Sequence, residues 1–137
     1  MVDKKENCDI CGLNKHPLAK FCPRCKKILD RVAIRRKHNK DARIKALKKS
    51  WDGERFRCYY SDIRLEEKDH HSPIYLTFDH RIPRIEDDIV IAAAAINDMK
   101  SDLSEAEFKN AVNQLSARFS KGASVNEDTF KLIHWKR

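Results

Sequence analysis

The sequence predicts an α+β fold, and three observations lead to that class. Short apolar or aromatic runs of strand length occur at 55–60, 74–79 and 89–91. Longer segments without Gly or Pro, rich in helix-forming residues, lie before and after these runs. Four of the five cysteines form two close pairs near the N-terminus, as in small modules built around a metal ion. With 137 residues, of which 41% are hydrophobic, the chain can bury one modest core.

The cysteine pairs are Cys8 with Cys11 and Cys22 with Cys25, separated by ten residues. Each Cys-x-x-Cys turn can direct two sulfur atoms at one ion, and two such turns complete the tetrahedral set that structural zinc prefers. We therefore predict a zinc knuckle module over 1–27 with these four cysteines as ligands. A redox dithiol would require only one pair, and disulfides are disfavoured in a reducing compartment.

A basic linker helix is predicted over 28–52. Between residues 24 and 49 the chain has twelve Lys or Arg against two Asp, a net charge of +10, whereas the whole chain carries +8. Apolar residues mark both ends of the segment and are absent from its middle, so we expect docked ends and an exposed centre. Concentrated positive charge indicates a polyanionic partner such as DNA. The predicted phosphate contacts in this segment are Arg35, Arg36, Lys37, Lys40 and Arg43.

The remaining residues, 53–137, contain the predicted strands and further helices. One helix is predicted at 92–100, directly after the last strand. The next opens with a capping box, Ser104-x-x-Glu107, and ends at Gly122. A short final helix is expected in the tail. The apolar face of the capped helix consists of Phe108, Val112, Leu115 and Phe119.

Chemically useful side chains stand at the ends of these strands and on the following helix. Asp79 and His80 end one predicted strand. Asp88 precedes the next strand, and Asn97 lies on the helix that follows it. Carboxylate and amide oxygens are ligands that hard divalent cations prefer, and an imidazole can accept a proton near neutral pH. Together these groups could hydrolyse a phosphodiester around one metal ion.

This order of strand, loop, strand and helix, with these residue types, resembles the ββα-metal site of the HNH nuclease family. The resemblance covers about residues 56–108 and depends on three stretches. They are 76–83 (Leu-Thr-Phe-Asp-His-Arg-Ile-Pro), 88–91 (Asp-Ile-Val-Ile) and 97–100 (Asn-Asp-Met-Lys). It implies a small ββα-metal nuclease domain over 53–137, flanked by helices and preceded by the zinc knuckle and the basic helix.

The resemblance also implies an activity, the hydrolysis of DNA, with duplex DNA as the expected substrate. Asp79 and Asn97 would bind a catalytic magnesium or manganese ion, and His80 would be the general base that activates water. Cleavage would leave 5′-phosphate and 3′-hydroxyl ends. Further phosphate contacts are assigned to Arg81, Arg84 and Lys100.

The sequence departs from the family pattern at two places. Asp88 stands where the family usually has an asparagine that braces the loop around the histidine, and the carboxylate adds negative charge near the metal. Many members also hold a zinc ion with two Cys-x-x-Cys pairs inside the ββα region. Here only Cys58 remains, and the other positions fall at or near Ser61, Ala93 and Ile96. We therefore expect no zinc there and a buried structural thiol at Cys58.

Three function classes remain open at this point. The first is the metal-dependent endonuclease. The second is a non-catalytic, zinc-containing nucleic-acid-binding protein on a degenerate HNH scaffold, and Asp88 favours it. The third is a zinc-organised module that binds another protein, for which the basic segment would be dispensable.

The expected location follows from two further features. The longest apolar run, 89–96, is too short to span a bilayer, and the N-terminus lacks the apolar stretch of a secretory signal. We expect a cytoplasmic protein of a bacterium or phage, with no membrane partner. Cutting both strands of a duplex would require a homodimer, and no dimer interface is evident in the sequence.

Overall fold

The computed structural model describes residues 6–31, 40–85 and 87–131. Within these ranges two helices precede one antiparallel pair of strands and three helices follow it, which agrees with the predicted α+β class. The elements are α1 (Pro23–Asp30), α2 (Lys40–Ser50), β1 (Leu76–His80), β2 (Ile89–Ala93), α3 (Ala94–Lys100), α4 (Glu105–Lys121) and α5 (Glu127–Lys131). No helix within the described ranges is long and apolar enough to cross a membrane.

The two strands form an antiparallel pair whose register aligns Thr77 with Ala92 and Asp79 with Val90. All five residues of β2 are buried, so both faces of this strand are covered, whereas β1 is only partly buried. α2 packs against β2, and α3 follows β2 without a linker and packs against both strands. Because side chains alternate along a strand, Thr77 and Asp79 share one face. The local order is therefore strand, strand and helix.

One hydrophobic cluster connects the cysteine-rich N-terminus with the strand pair. It crosses both of the predicted unit boundaries, at 27 and at 52. Its members include the four paired cysteines and residues of α1, α2 and both strands, such as Ile28, Leu29, Leu47, Leu76 and Ile91. The N-terminal module thus shares its core with the rest of the described chain.

Two arginine side chains connect α1 to the segment that enters β1. The Arg24 guanidinium forms a two-pronged ion pair with the carboxylate of Glu67. Arg31 donates hydrogen bonds to the carbonyl oxygens of Leu76 (3.0 Å) and Glu67. Its guanidinium also lies 4.3 Å from the centre of the Tyr75 ring. The end of α1 therefore holds the start of β1.

The predicted basic helix over 28–52 appears as parts of two helices, α1 and α2. α1 already begins at Pro23, because Cys22 caps it and proline suits the first helical turn, where no backbone N–H is needed. Outside the described residues lies the stretch 32–39, which contains the predicted phosphate contacts Arg35, Arg36 and Lys37.

The predicted strand at 55–60 is wrong. This segment forms only isolated bridges, and a single backbone hydrogen bond, from the Tyr59 N–H to the Ile91 carbonyl (2.8 Å), connects it to β2. The chain reverses at 58–63, where Asp62 takes a left-handed conformation with φ of 60°. The aromatic composition that suggested a strand therefore belongs to a loop packed beside β2.

α4 begins and ends as the sequence predicts. Ser104 and Glu107 form the reciprocal capping box, and Gly122 ends the helix in the left-handed conformation with φ of 67°. The predicted apolar face is partly wrong, because only the first half of α4 contacts the core. Phe108 is buried, whereas Phe119 is 84% exposed.

Candidate functional site

The four paired cysteines converge on one point. Each offers a sulfur atom, and the four sulfur atoms lie within 4.8 Å of one another in a buried position. This cluster is compatible with a structural zinc ion, as predicted. Within the described ranges, no other group of three or more Cys, His, Asp or Glu side chains is close enough to hold a metal ion.

Local backbone geometry explains the convergence. In the first turn the Cys8 N–H donates to the Leu13 carbonyl (2.8 Å), and the Gly12 N–H donates to the Cys8 carbonyl (2.9 Å). Gly12 has φ of +73°, which glycine adopts without strain. In the second turn Cys22 is the N-cap of α1, and its sulfur accepts a hydrogen bond from the Cys25 N–H (3.5 Å).

The electrostatics of the cluster favour a cation. Burial raises the pKa of the Cys25 thiol, and the neighbouring thiols raise it further. Burial also acts to raise the pKa of Cys8, but backbone N–H groups of Cys11, Cys22 and Ile10 outweigh it and lower this pKa to about 7. Thiolates packed this closely repel one another, so a bound cation would stabilise the cluster.

The turn around Cys8 recurs at 58–63, but there it contains a single cysteine. The Cys58 N–H donates to the Ile63 carbonyl (2.9 Å), and the Asp62 N–H donates to the Cys58 carbonyl (2.8 Å). These two bonds repeat the pattern found around Cys8. The Cys58 sulfur is buried (2% exposed) and accepts the N–H of Ala93 (3.4 Å). The prediction that the Cys58 thiol is buried is confirmed.

Asp79 lies at the end of β1 and is 7% exposed. Its Oδ2 atom accepts a hydrogen bond from the Tyr60 hydroxyl (2.8 Å) and forms an ion pair with the Lys100 ammonium (3.3 Å). The same ammonium donates to the carbonyl oxygen of His80 (2.9 Å). Since Lys100 is 1% exposed, the prediction that it contacts phosphate is wrong. Its ammonium is used inside the protein.

Tyr60 is a site residue that the sequence did not reveal. Its pKa is raised by burial and by the hydrogen bond to Asp79, so the hydroxyl keeps its proton and remains a donor. Its ring packs edge-on against Phe108 of α4, with 5.7 Å between the ring centres. Nothing local distinguishes it from Tyr59, because its role depends on a partner nineteen positions away.

Asn97 lies on α3 over the same face of the strand pair. Its amide nitrogen donates to the Thr77 hydroxyl (3.1 Å) and, at 3.5 Å, to the Phe78 carbonyl. The structure therefore brings Asn97 to Thr77, one step along the face from Asp79. The amide oxygen of Asn97 and the Oδ1 atom of Asp79 accept no hydrogen bond from any residue in the described ranges.

His80 and Asp88 stand on either side of the loop that connects the strands. His80 is the half-buried last residue of β1 and pairs with Ile89 of β2. Arg81 closes the loop, since its backbone N–H donates to the Asp88 carbonyl (2.9 Å) and its guanidinium contacts both Asp88 carboxylate oxygens (2.6 to 3.0 Å). The negative charge that Asp88 adds is thus matched by Arg81.

The loop is also joined to α4. The Glu105 N–H donates to the Arg81 carbonyl (2.9 Å), and the two side chains form an ion pair at 3.3 Å. Burial acts to raise the pKa of Glu105, but hydrogen bonds from Lys109 and Tyr59 hold it below its usual value. The Arg81 guanidinium is therefore shared between the carboxylates of Asp88 and Glu105. Because both pairs occupy its N–H groups, the structure does not favour the predicted contact between Arg81 and phosphate.

The other predicted phosphate contacts fall into two groups. Arg43 is 4% exposed, donates to the Leu29 carbonyl (3.1 Å) and lies over the Phe78 ring, so its assignment is wrong and it is a buried structural cation. Arg84 and Lys40 are exposed. Other exposed lysines along α2 are Lys45, Lys48 and Lys49.

A cavity of about 530 Å³ opens between α2, β2 and the loop before β1. Charged residues of both signs line it, among them Lys49, Arg57, Asp52 and the Arg81–Asp88 pair. Asp79, His80 and Asn97 are not among its lining residues, so the cavity and the strand end are different places.

No protein-family model, no curated protein and no solved structure matches this chain. The likeness to the HNH family therefore depends on the residues quoted above and on the order of elements alone.

Proposed function

We propose that the protein is a metal-dependent DNA endonuclease of the HNH kind, with a zinc knuckle that forms part of its core. The observation that carries the proposal is the strand–strand–helix arrangement, in which Asp79 and Asn97 lie on one face and each has one oxygen that no described residue engages. These are hard oxygen donors, as magnesium and manganese require. The donor set therefore fits such an ion.

The residues around this point have separable roles in the proposal. Asp79 and Asn97 would hold the divalent ion, which, when bound, offsets the charge of the phosphate and stabilises the leaving oxygen. His80 would accept a proton from the attacking water through its imidazole. Tyr60 and Thr77 fix the two oxygen ligands by hydrogen bonds to their other polar atoms.

Binding of duplex DNA would use the exposed lysines of α2 and Arg84. The surplus positive charge between residues 24 and 49 supports a polyanionic substrate. Contacts of this kind make affinity fall steeply with added salt. A homodimer is proposed for double-strand cleavage, since one site of this kind cuts one strand.

The test is a plasmid-nicking assay on the zinc-loaded protein with magnesium or manganese. We expect His80→Ala to lower the nicking rate by about 10² to 10⁴. His70→Ala, in an exposed loop, is the matched control and should keep the full rate. If the unmodified protein and both variants are equally inert on supercoiled, linear and single-stranded DNA, the nuclease proposal fails.

The second candidate is a non-catalytic DNA-binding protein, and one observation favours it. The Lys100 ammonium already pairs with the Asp79 carboxylate, which is where the nuclease proposal needs a metal ion. On this reading DNA binding persists with steep salt dependence while no strand is cut. Fluorescence anisotropy at roughly 50 and 200 mM salt, run beside the nicking assay, separates the two functions.

A further inference from the structure

Lys100 is a charged side chain in an unusual position. It is 1% exposed and ranks among the largest fully buried side chains of the described chain. Burying an ammonium is costly unless it is paired and hydrogen-bonded, and lysine is rarely buried completely. Its two partners, the Asp79 carboxylate and the His80 carbonyl, belong to adjacent residues at the end of β1. Both of these residues are in the proposed catalytic site.

The pairing uses one oxygen of Asp79, and no residue in the described part of the chain contacts the other. Tyr60 and Lys100 both contact Oδ2, at 2.8 and 3.3 Å. Asn97 is held in the same manner, since its amide nitrogen donates to the Thr77 hydroxyl, while its amide oxygen has no partner among the described residues. Each proposed ligand is therefore oriented by neighbours that bind its other polar atom.

The charges at this point balance. Asp79 contributes one negative charge, Lys100 one positive charge, and Asn97 none. Asp88, in the loop before β2, is paired with Arg81, and Glu105, which also contacts Arg81, is paired with Lys109. Protein sites for hard cations gain affinity with the number of charged ligands. A site of zero net charge offers a divalent ion little attraction until another anion arrives.

We propose that Lys100 is a positioning residue and counter-charge for Asp79, which makes divalent-cation binding at Asp79 and Asn97 conditional on a bound phosphodiester. The inference rests on the proposed nuclease function and deepens it. The phosphate supplies the negative charge that Lys100 cancels, so the ion and the DNA bind cooperatively. By linkage, manganese must raise DNA affinity by the same factor as DNA raises manganese affinity.

The test measures manganese binding instead of cleavage. Free Mn²⁺ is followed by electron paramagnetic resonance on zinc-loaded protein in the His80→Ala background, with and without a DNA duplex. We expect weak binding without DNA and binding tighter by on the order of tenfold or more with it. Adding Lys100→Met should strengthen binding without DNA and reduce the difference that DNA makes. Adding Tyr60→Phe, which keeps the charge balance, should not strengthen it.

The outcomes separate the inference from the proposed function. If Mn²⁺ binds equally well with and without DNA, or if Lys100→Met leaves the difference unchanged, Lys100 is not the counter-charge and the inference is overturned. If no variant binds Mn²⁺ in an Asp79-dependent manner even with DNA, the nuclease proposal itself fails. Should Lys100→Met not fold, the neutral variant Lys100→Gln, which can still donate a hydrogen bond to the His80 carbonyl, gives the same decision through the reciprocal effect of Mn²⁺ on DNA affinity.

Discussion

Individual side chains at the end of β1 show why a list of residue types describes only half of a site. Asp79, His80 and Asn97 can be selected from the sequence because their chemistry is visible there. Their partners cannot, because Tyr60 and Lys100 reach Asp79 from separate parts of the chain. The burial of Lys100 depends wholly on that tertiary ion pair, and no local pattern indicates it.

The Tyr60 hydroxyl provides the sharpest test at this scale. Tyr60→Phe removes one of two contacts to the Asp79 Oδ2 atom and keeps the ring packed on Phe108. We expect a loss of about 10- to 100-fold in nicking rate, as for other groups that orient a metal ligand. The unfolding free energy, measured in urea, should fall by about 1.5 to 3 kcal/mol, the usual range for a hydrogen bond to a charged group.

Tyr59→Phe is the control for that experiment. It removes a hydroxyl that bonds to Glu105 at the surface, and Tyr59 is 49% exposed. Its nicking rate should stay within about twofold of the unmodified protein, because its partner pairs with Lys109 as well. Equal losses in both variants would show that Tyr60 has no special connection to the site.

At the scale of elements, the sequence predicts well wherever a signal is local. The capping box at Ser104 and the glycine at 122 define α4 correctly because both act within one turn. The segment 55–60 has the composition of a strand, yet its conformation is decided by backbone bonds at 58–63. The second half of the predicted apolar face of α4 is exposed, because helical spacing gives a direction but not the extent of the neighbouring core.

Removing the cap is a direct test of α4. Ser104→Ala eliminates the hydroxyl that accepts the Glu107 N–H (3.2 Å) and should destabilise the protein by about 1 kcal/mol. Thermal melting followed by circular dichroism measures the change. Ser124→Ala, in an exposed segment after the helix, should leave the melting temperature unchanged. A Ser104→Ala protein as stable as the control would contradict the assigned cap.

The turn at 58–63 suggests a constructive experiment. Replacing Ser61, Ala93 and Ile96 together by cysteine adds three thiols to the existing Cys58 on a backbone that already repeats the first knuckle. We expect elemental analysis to find two zinc ions per chain in place of one. Changing Cys58 to serine in the same variant should weaken the second site selectively. One zinc ion per chain in both variants would mean that the turn at 58–63 matches the first knuckle in backbone conformation but cannot form a metal site.

For the whole molecule, the important feature is that the four-cysteine module and the strand pair share one core. The sequence predicted separate units at 1–27 and 28–52, because the cysteine spacing resembles that of independent modules. It could not show that Ile28 and Leu29 pack into the same cluster as Leu76, or that Arg31 would hold β1. Contacts between distant segments are not encoded in spacing.

Zinc removal should therefore unfold the body and not the N-terminus alone. Trp51 reports on the body, since its ring packs against Phe56 at 4.8 Å and lies beside Arg24. We expect a chelator to change Trp51 fluorescence and the circular dichroism signal of the helices in one transition. Lowering the pH should act in the same direction, because protons compete with zinc for the thiolates.

Cys25→Ser provides the genetic counterpart to chelation. It removes one of four ligands and should reproduce the chelated state without any added reagent. Cys58→Ser, which alters a buried thiol outside the cluster, controls for the substitution itself. If chelation leaves the environment of Trp51 intact, the two regions are independent folding units.

The knuckle-like turn around Cys58 has a wider consequence for how such chains are recognised. Its two backbone hydrogen bonds form without any ion, so the turn can keep its conformation without a full set of cysteine ligands. A comparison keyed to thiol positions passes over a turn of this kind. One keyed to the paired main-chain hydrogen bonds would find both turns within the described residues.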